Sequence, residues 1–177
     1  RDELGLDESE KTKLLAVPCD VGEETDVKEM VRKVVETFGT VDVLVNNAAL
    51  HISHRVVDTS LEEWNRQIRV NLNGTFLCSR EVLPYMIEKR YGKIINISSS
   101  AAKHYFPGFG AYSSSKGGIV SFTHTLSEEV KDYGINVNAL YLGMTDTEYT
   151  RQRIESDPAI TIDVEEMLKV EEVSEVV

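Results

Sequence analysis

A chain of 177 residues, 41% of them hydrophobic, is long enough to bury the core of one globular domain. Its 30 acidic side chains outnumber 19 basic ones, for a formal net charge of -11, and the field of such a surface repels nucleic-acid backbones and anionic membranes alike. Cys19 and Cys78 stand far apart without a paired spacing, which suits a reducing cytoplasm. No apolar run reaches the roughly 18 to 20 residues of a membrane span, and no signal-like segment opens the chain.

The opening, Arg1 to Lys13, reads as a polar helix end or loop without an initiator methionine. Short β-branched apolar runs then alternate with longer stretches of helical period. Leu14 to Pro18 predicts the first strand, followed by Cys19, Asp20 and Val21 and then by acids from Glu23 to Asp26 that suit the positive end of a helix. Val41 to Asn46 predicts the second strand, running into Asn47, Ala48, Ala49 and Leu50. Ser60 and Glu63 then form a capping-box pair. Leu61, Trp64, Ile68, Leu72 and Phe76 make the apolar stripe of the helix behind it, which Pro84 is expected to kink or end. Lys93 to Ser98 predicts the third strand. The helix after it carries a buried stripe of Ile119, Phe122, Leu126 and Val130 and closes at Gly134. Asn136 to Leu140 predicts the fourth strand, leading into Tyr141 to Thr147, and the tail breaks off within an amphipathic pattern. This alternation predicts a doubly wound parallel α/β sheet, with ligands bound outside the carboxyl ends of its strands.

Tyr112 and Lys116 lie four apart, on one face of a helix. An ammonium roughly 5 Å from a phenol, at an effective dielectric of about 20, favours the phenolate by about 3 kcal/mol, which moves tyrosine toward the range of a neutral-pH acid or base. Ser99, at the carboxyl end of the third strand, offers a hydroxyl to a substrate oxygen beside that tyrosine. Asn71 interrupts an apolar helix and is read either as a surface residue or as one bonding local backbone or water. His51 and His54 have no cysteine or acidic partner at ligand spacing, so they are read as loop or substrate-pocket histidines and no metal is expected.

The stretches VDVLVNNAA, VNLNG, GKIINISSS, AYSSSKGG and GINVNALYLGMTDT, in this order and at these spacings, resemble the single-domain short-chain dehydrogenase/reductases from about Leu14 onward. The resemblance implies a Rossmann-like fold and an NAD- or NADP-dependent interconversion of a secondary alcohol and a ketone, with a 3-oxoacyl thioester or a sugar among the candidate substrates. Carried over residue by residue, it makes Tyr112 the acid/base, Lys116 the lysine that lowers its pKa and bonds the nicotinamide ribose, Ser99 the serine that orients the substrate oxygen, and Asn71 the asparagine whose helix kink holds a water. Asp20 and Val21 fall beside the adenine, Asn47, Ala48 and Ala49 under the adenosine ribose, and Thr145 and Thr147 at phosphate and carboxamide. A homodimer or homotetramer built on helices Ser60 to Arg90 and Tyr112 to Tyr133 is implied as well. The segment after Thr147 is the expected lid.

The sequence departs from the family pattern in places. Ala49 replaces a usual glycine and Leu142 a usual proline. The glycine-rich phosphate turn and the last strand have no counterpart, so residues 1–177 are expected to form a single Rossmann-like domain truncated at both ends and to belong to a larger functional chain. The sheet edge would then be rebuilt by placing Leu14 to Pro18 beside Val41 to Asn46. The alternative is a non-catalytic or truncated chain unable to bind dinucleotide, acting as an assembly subunit.

Overall fold

The computed structural model describes residues 14–156 and 167–175; the polar opening (1–13), the middle of the expected lid (157–166) and the last two residues lie outside these. Three strands form a parallel sheet in the order β1 (Val43–Asn46), β2 (Gly92–Ser99) and β3 (Ile135–Leu142). All three carboxyl ends therefore fall on one edge. Leu44 pairs with Ile94 and Ile94 with Val137, so these three side chains share a face. Against that face lie α1 (Glu24–Phe38), α3 (Gly74–Lys89) and α4 (Gly110–Val130), whose Val31, Val82, Met86, Leu126 and Val130 close a core over Ile94, Ile135 and Val137. Each such side chain contributes about 1.5 to 3 kcal/mol by leaving water. The opposite face carries Val43 and Val45, 52% and 40% exposed, in register with Lys93 and Ile95. Among the described residues, the helical cover is thus on one side of the sheet.

The acidic start of α1, the Ser60–Glu63 capping box and the stripe Ile119, Phe122, Leu126 and Val130 all form as expected. Gly134 ends a short 3₁₀ turn in the left-handed conformation, at φ 72°. Two expectations fail. Leu14 to Pro18 is irregular backbone, because a strand needs a ladder partner and, among the described residues, β1 pairs on one side only, with β2. Of the two outcomes expected at Pro84, the helix does not end there and continues to Lys89. The stripe from Leu61 to Phe76 does not hold either, since Leu61 is 73% and Phe76 42% exposed.

For Phe76 the cause is a π turn, Arg69–Asn73, between α2 (Leu61–Ile68) and α3. Its wider turn rotates α3 by part of a turn relative to a 3.6 period. The buried positions include Gln67 before the turn, Asn71 within it, and Thr75, Leu77, Cys78, Ser79, Val82 and Met86 after it. Two short helices, α5 (Glu148–Ser156) and α6 (Val170–Ser174), complete the described chain.

Candidate active site

Asn71 lies at the middle of the π turn and is fully buried, so its reading as a surface residue is wrong. A buried carboxamide must use all its polar atoms, and this one does. Its Oδ1 accepts from the Leu50 N–H at 2.7 Å, while Nδ2 donates to the Leu50 carbonyl at 2.9 Å and to Ser115 Oγ at 3.0 Å. Gln67, also buried, treats Ile52 in the same way: Oε1 accepts from its N–H at 3.0 Å and Nε2 donates to its carbonyl at 3.2 Å. Two side-chain amides thus serve residues 50 and 52 as the edge of a neighbouring strand would. His51, the residue between them, packs against the site's rings, edge-on to Phe109 and tilted to Tyr112, with its centroid 4.4 Å from each.

Tyr112 stands in the first turn of α4 and Lys116 one turn later. Lys116 is 3% exposed, donates from Nζ to the Ile97 carbonyl at 2.7 Å, and lies 5.6 Å from the Tyr112 ring centroid, within cation–π range. Burial disfavours its ammonium and pushes its pKa down to about 8. The pair foreseen from spacing is therefore together, with the cation anchored on the strand bearing Ser99. Ser99 is half-buried, and its Oγ accepts from the Ala101 N–H at 3.2 Å, capping the 3₁₀ turn Ser100–Ala102. That bond leaves its own hydroxyl proton available to a second acceptor.

Two further serines do structural work. Ser115 Oγ takes the Asn71 bond and donates to the Tyr112 carbonyl at 2.7 Å, and Ser98 Oγ donates to the Lys116 carbonyl at 3.0 Å. Both are buried. Gly118 admits the π turn to α4, since a Cβ there would lie 2.8 Å from a Leu72 methyl. Gln67, Ser98 and Ser115 were missed by sequence reasoning. Only the placement of Gln67 one turn before Asn71 could have drawn attention to it.

The expected cofactor residues fall in three groups along the same edge. Val21, Asn47 and Ala48 line one cavity together with Gly74, Thr75 and Cys78, and Ala49 is exposed just before the clamped Leu50. Asp20 binds the Gly22 N–H at 2.9 Å and the Arg69 guanidinium at 3.0 Å, and these two bonds hold its carboxyl below the ordinary range. Thr145 bridges to Leu168, and Thr147 Oγ1 accepts from the Thr150 N–H at 3.2 Å at the head of α5. These threonines are set off from the cavity group by sequence, but Ser99 pairs with Leu142, just ahead of them.

The family model for short chain dehydrogenase matches residues 3–158. An uncharacterized oxidoreductase of Thermotoga maritima is 44% identical over 143 residues, 80% of this chain and 56% of that protein. A 3-oxoacyl-acyl-carrier-protein reductase of the same organism is 39% identical over 132 residues, 75% of this chain and 54% of that protein. The chain thus spans a little over half the length of these curated relatives. Among solved structures, ElxO with NADP bound superposes with a TM-score of 0.82 at 31% identity, covering 89% of this chain and 66% of that one. NAD+-bound xylitol dehydrogenase gives 0.83 at 28% identity, covering 89% and 68%. With a family match over most of its length and the parallel Rossmann-like sheet in place, the chain belongs to the short-chain dehydrogenase/reductase family.

Proposed function

We propose that this chain forms, within one Rossmann-like domain, the catalytic part of an NAD- or NADP-dependent oxidoreductase that interconverts a secondary alcohol and a ketone. The observation that carries the reading is the buried Lys116 ammonium, held on the strand that bears Ser99 and set against the ring of Tyr112. Ser99 holds the substrate oxygen. Tyr112 gives that oxygen a proton during reduction and takes it back during oxidation, and Lys116 lowers the cost of the phenolate that this leaves. Asn71 fixes the loop and, through Ser115, the first turn of α4, so the phenol keeps its place.

The residues present fit a dinucleotide. Val21, Asn47 and Ala48 share a cavity beside the strand ends, Asp20 stands next to it, and the Lys116 ammonium has donors beyond the one given to Ile97. Ala49, Thr145 and Thr147 complete the set that would hold the cofactor. When bound, the nicotinamide accepts or supplies the hydride.

For the substrate we favour a 3-oxoacyl thioester, as in the name of the Thermotoga reductase. His51, Phe109 and Phe106 put a wall of rings beside Tyr112, which suits an apolar acyl group better than a polyol. A sugar, as in the name of xylitol dehydrogenase, is the second choice. Charge balance and cysteine spacing favour the cytoplasm as the setting, with the protein acting on a small molecule as a homodimer or homotetramer.

The test is an assay of the full chain at the nicotinamide absorbance band with a 3-oxoacyl thioester. Activity is expected, and Tyr112→Phe should lose about 10²- to 10⁴-fold while keeping the fold. A Tyr112→Phe protein as fast as the parent refutes the proton role. If the chain were instead a non-catalytic assembly subunit, calorimetric titration with NADH and NADPH would give no saturable binding.

A further inference from the structure

The 30 acidic residues of the chain are unevenly spread. Residues 43–57, 89–127 and 133–145 contain none of them, and these stretches hold the three strands, the loops at their carboxyl ends and most of α4. The loops after β1 and β2 meet there: a Cβ on Gly108 would lie 3.0 Å from Ser53 Oγ, and one on Gly110 3.1 Å from a Val56 methyl. His51 on the first loop and Phe109 on the second form the ring wall beside Tyr112. Each loop also carries an exposed cation, Arg55 and Lys103, and among the described residues neither has a carboxylate at ion-pair distance.

Lys103 is the better placed of the two. Its N–H donates to the Ser100 carbonyl at 2.9 Å, which fixes the root of the side chain just past the 3₁₀ turn that Ser99 caps. Its Nζ lies 3.8 Å from the centroid of the Tyr141 ring, whereas the other cations set over rings stand 5.1 to 5.9 Å away. Tyr141 is in register with Ser98 and so shares its face of the sheet, the face on which Ser98 bonds the Lys116 carbonyl. The ring thus holds the Lys103 ammonium on the side of the sheet where Tyr112 and Lys116 stand, with donors left over for a ligand. In a protein of net charge -11 this edge is the exception, and a cleft lined by one sign of charge concentrates ligands of the other.

We propose that Lys103, with Tyr141 as its platform, is a specificity-determining residue that receives an oxyanion, carboxylate or phosphate, carried by the ketone substrate. The proposal rests on the oxidoreductase reading above and deepens it by assigning the substrate a negative charge. Two sources share that chemistry: a free 3-oxo acid, or a 3-oxoacyl thioester whose thiol bears phosphate. An ion pair open to solvent is worth about two- to fivefold in affinity, and steering of the charged molecule adds a salt-dependent gain in rate.

The experiment measures kcat/KM of the full chain on two matched pairs: acetoacetyl-coenzyme A against the neutral N-acetylcysteamine thioester, and acetoacetate against its methyl ester. In at least one pair the ratio of charged to neutral substrate should fall about three- to tenfold in Lys103→Met, mainly through a higher KM for the charged member. The pair that responds identifies the source of the anion. Lys103→Arg and Tyr141→Phe should keep the parent ratio, because they retain the cation and the ring face, and Tyr141→Leu should lower it. Salt at about 0.5 M should bring the parent's ratio toward that of Lys103→Met. Each ratio is taken within one preparation, so a smaller folded fraction cannot imitate the result.

A merely structural Lys103 would lower both members of each pair alike. Ratios that stay unchanged in Lys103→Met therefore overturn the proposal while the oxidoreductase reading stands. A ratio that falls as far in Lys103→Arg as in Lys103→Met overturns it too, since charge would not be what is read. Turnover of none of these ketones by the parent removes both.

Discussion

Lys116 is where chemistry and stability pull against each other. A buried ammonium with a depressed pKa means that the folded state binds its proton less readily than the unfolded chain. From about pH 8 up to the ordinary lysine value near 10.4, the unfolded state therefore carries more protons, and stability rises with pH in that window; below it, the cost of burying the charge is fully present. Between pH 8 and 9.5 this term amounts to about 2 kcal/mol. Denaturation of the parent and of Lys116→Met should accordingly diverge, with the parent gaining stability relative to the variant as pH rises; parallel profiles would show that the ammonium is not desolvated. The neighbouring serines make a sharper contrast. Ser115→Ala orphans one donor of the buried Asn71 amide and should cost about 1 to 3 kcal/mol, whereas the exposed Ser114→Ala should stay within about 0.5 kcal/mol by the same melts. Nothing in the run of three serines distinguishes them, because only the arrival of Asn71 from a distant element gives one of them a partner.

At the scale of elements, the π turn is the feature that matters most and the one least visible in the sequence. Periodicity placed the helix and its capping box correctly, since Ser60 and Glu63 act within one turn. It failed at Phe76, beyond the π turn, because a helix that changes pitch cannot be read with one period. Tyr112, Lys116, Ser99 and Asn71 were named as site candidates from spacing and resemblance. Gln67 was not, because its partners are backbone atoms of a loop that carries no side-chain signal. Its two bonds to Ile52 hold the loop in which His51 packs against Tyr112. Gln67→Leu leaves both Ile52 groups without that partner, at about 1 to 3 kcal/mol, and lets the ring wall shift. The expected outcome is a lower denaturation midpoint together with a KM for the ketone raised severalfold and a smaller change in kcat. An unchanged KM would mean that the clamp serves stability alone.

For the whole molecule, the parallel sheet was legible because its strands read as short segments rich in β-branched apolar residues, as Ile94, Ile95 and Ile97 show. Leu14 to Pro18 is more apolar still yet forms no strand, since pairing is a property of neighbours and not of a segment. The same logic bears on apolar side chains that the described fold leaves in water. Phe76 on α3 is 42% exposed, meets the Phe122 ring of α4 edge-to-face at 6.1 Å, and has the Arg80 guanidinium 5.1 Å above it. The pair joins the outer surfaces of the two helices on which the proposed dimer is built. Aromatic anchors with an adjacent arginine are the residue types enriched where interfaces are strongest. A carboxylate placed at the centre of such a contact would be buried against its own copy across a two-fold axis, where it is unpaired and faces a like charge. Phe76→Glu should therefore shift the sedimentation of the full chain from dimer or tetramer toward monomer while circular dichroism stays that of the parent, because at its present exposure the side chain is not needed to close the core. A variant that sediments as the parent does would move the interface off these helices.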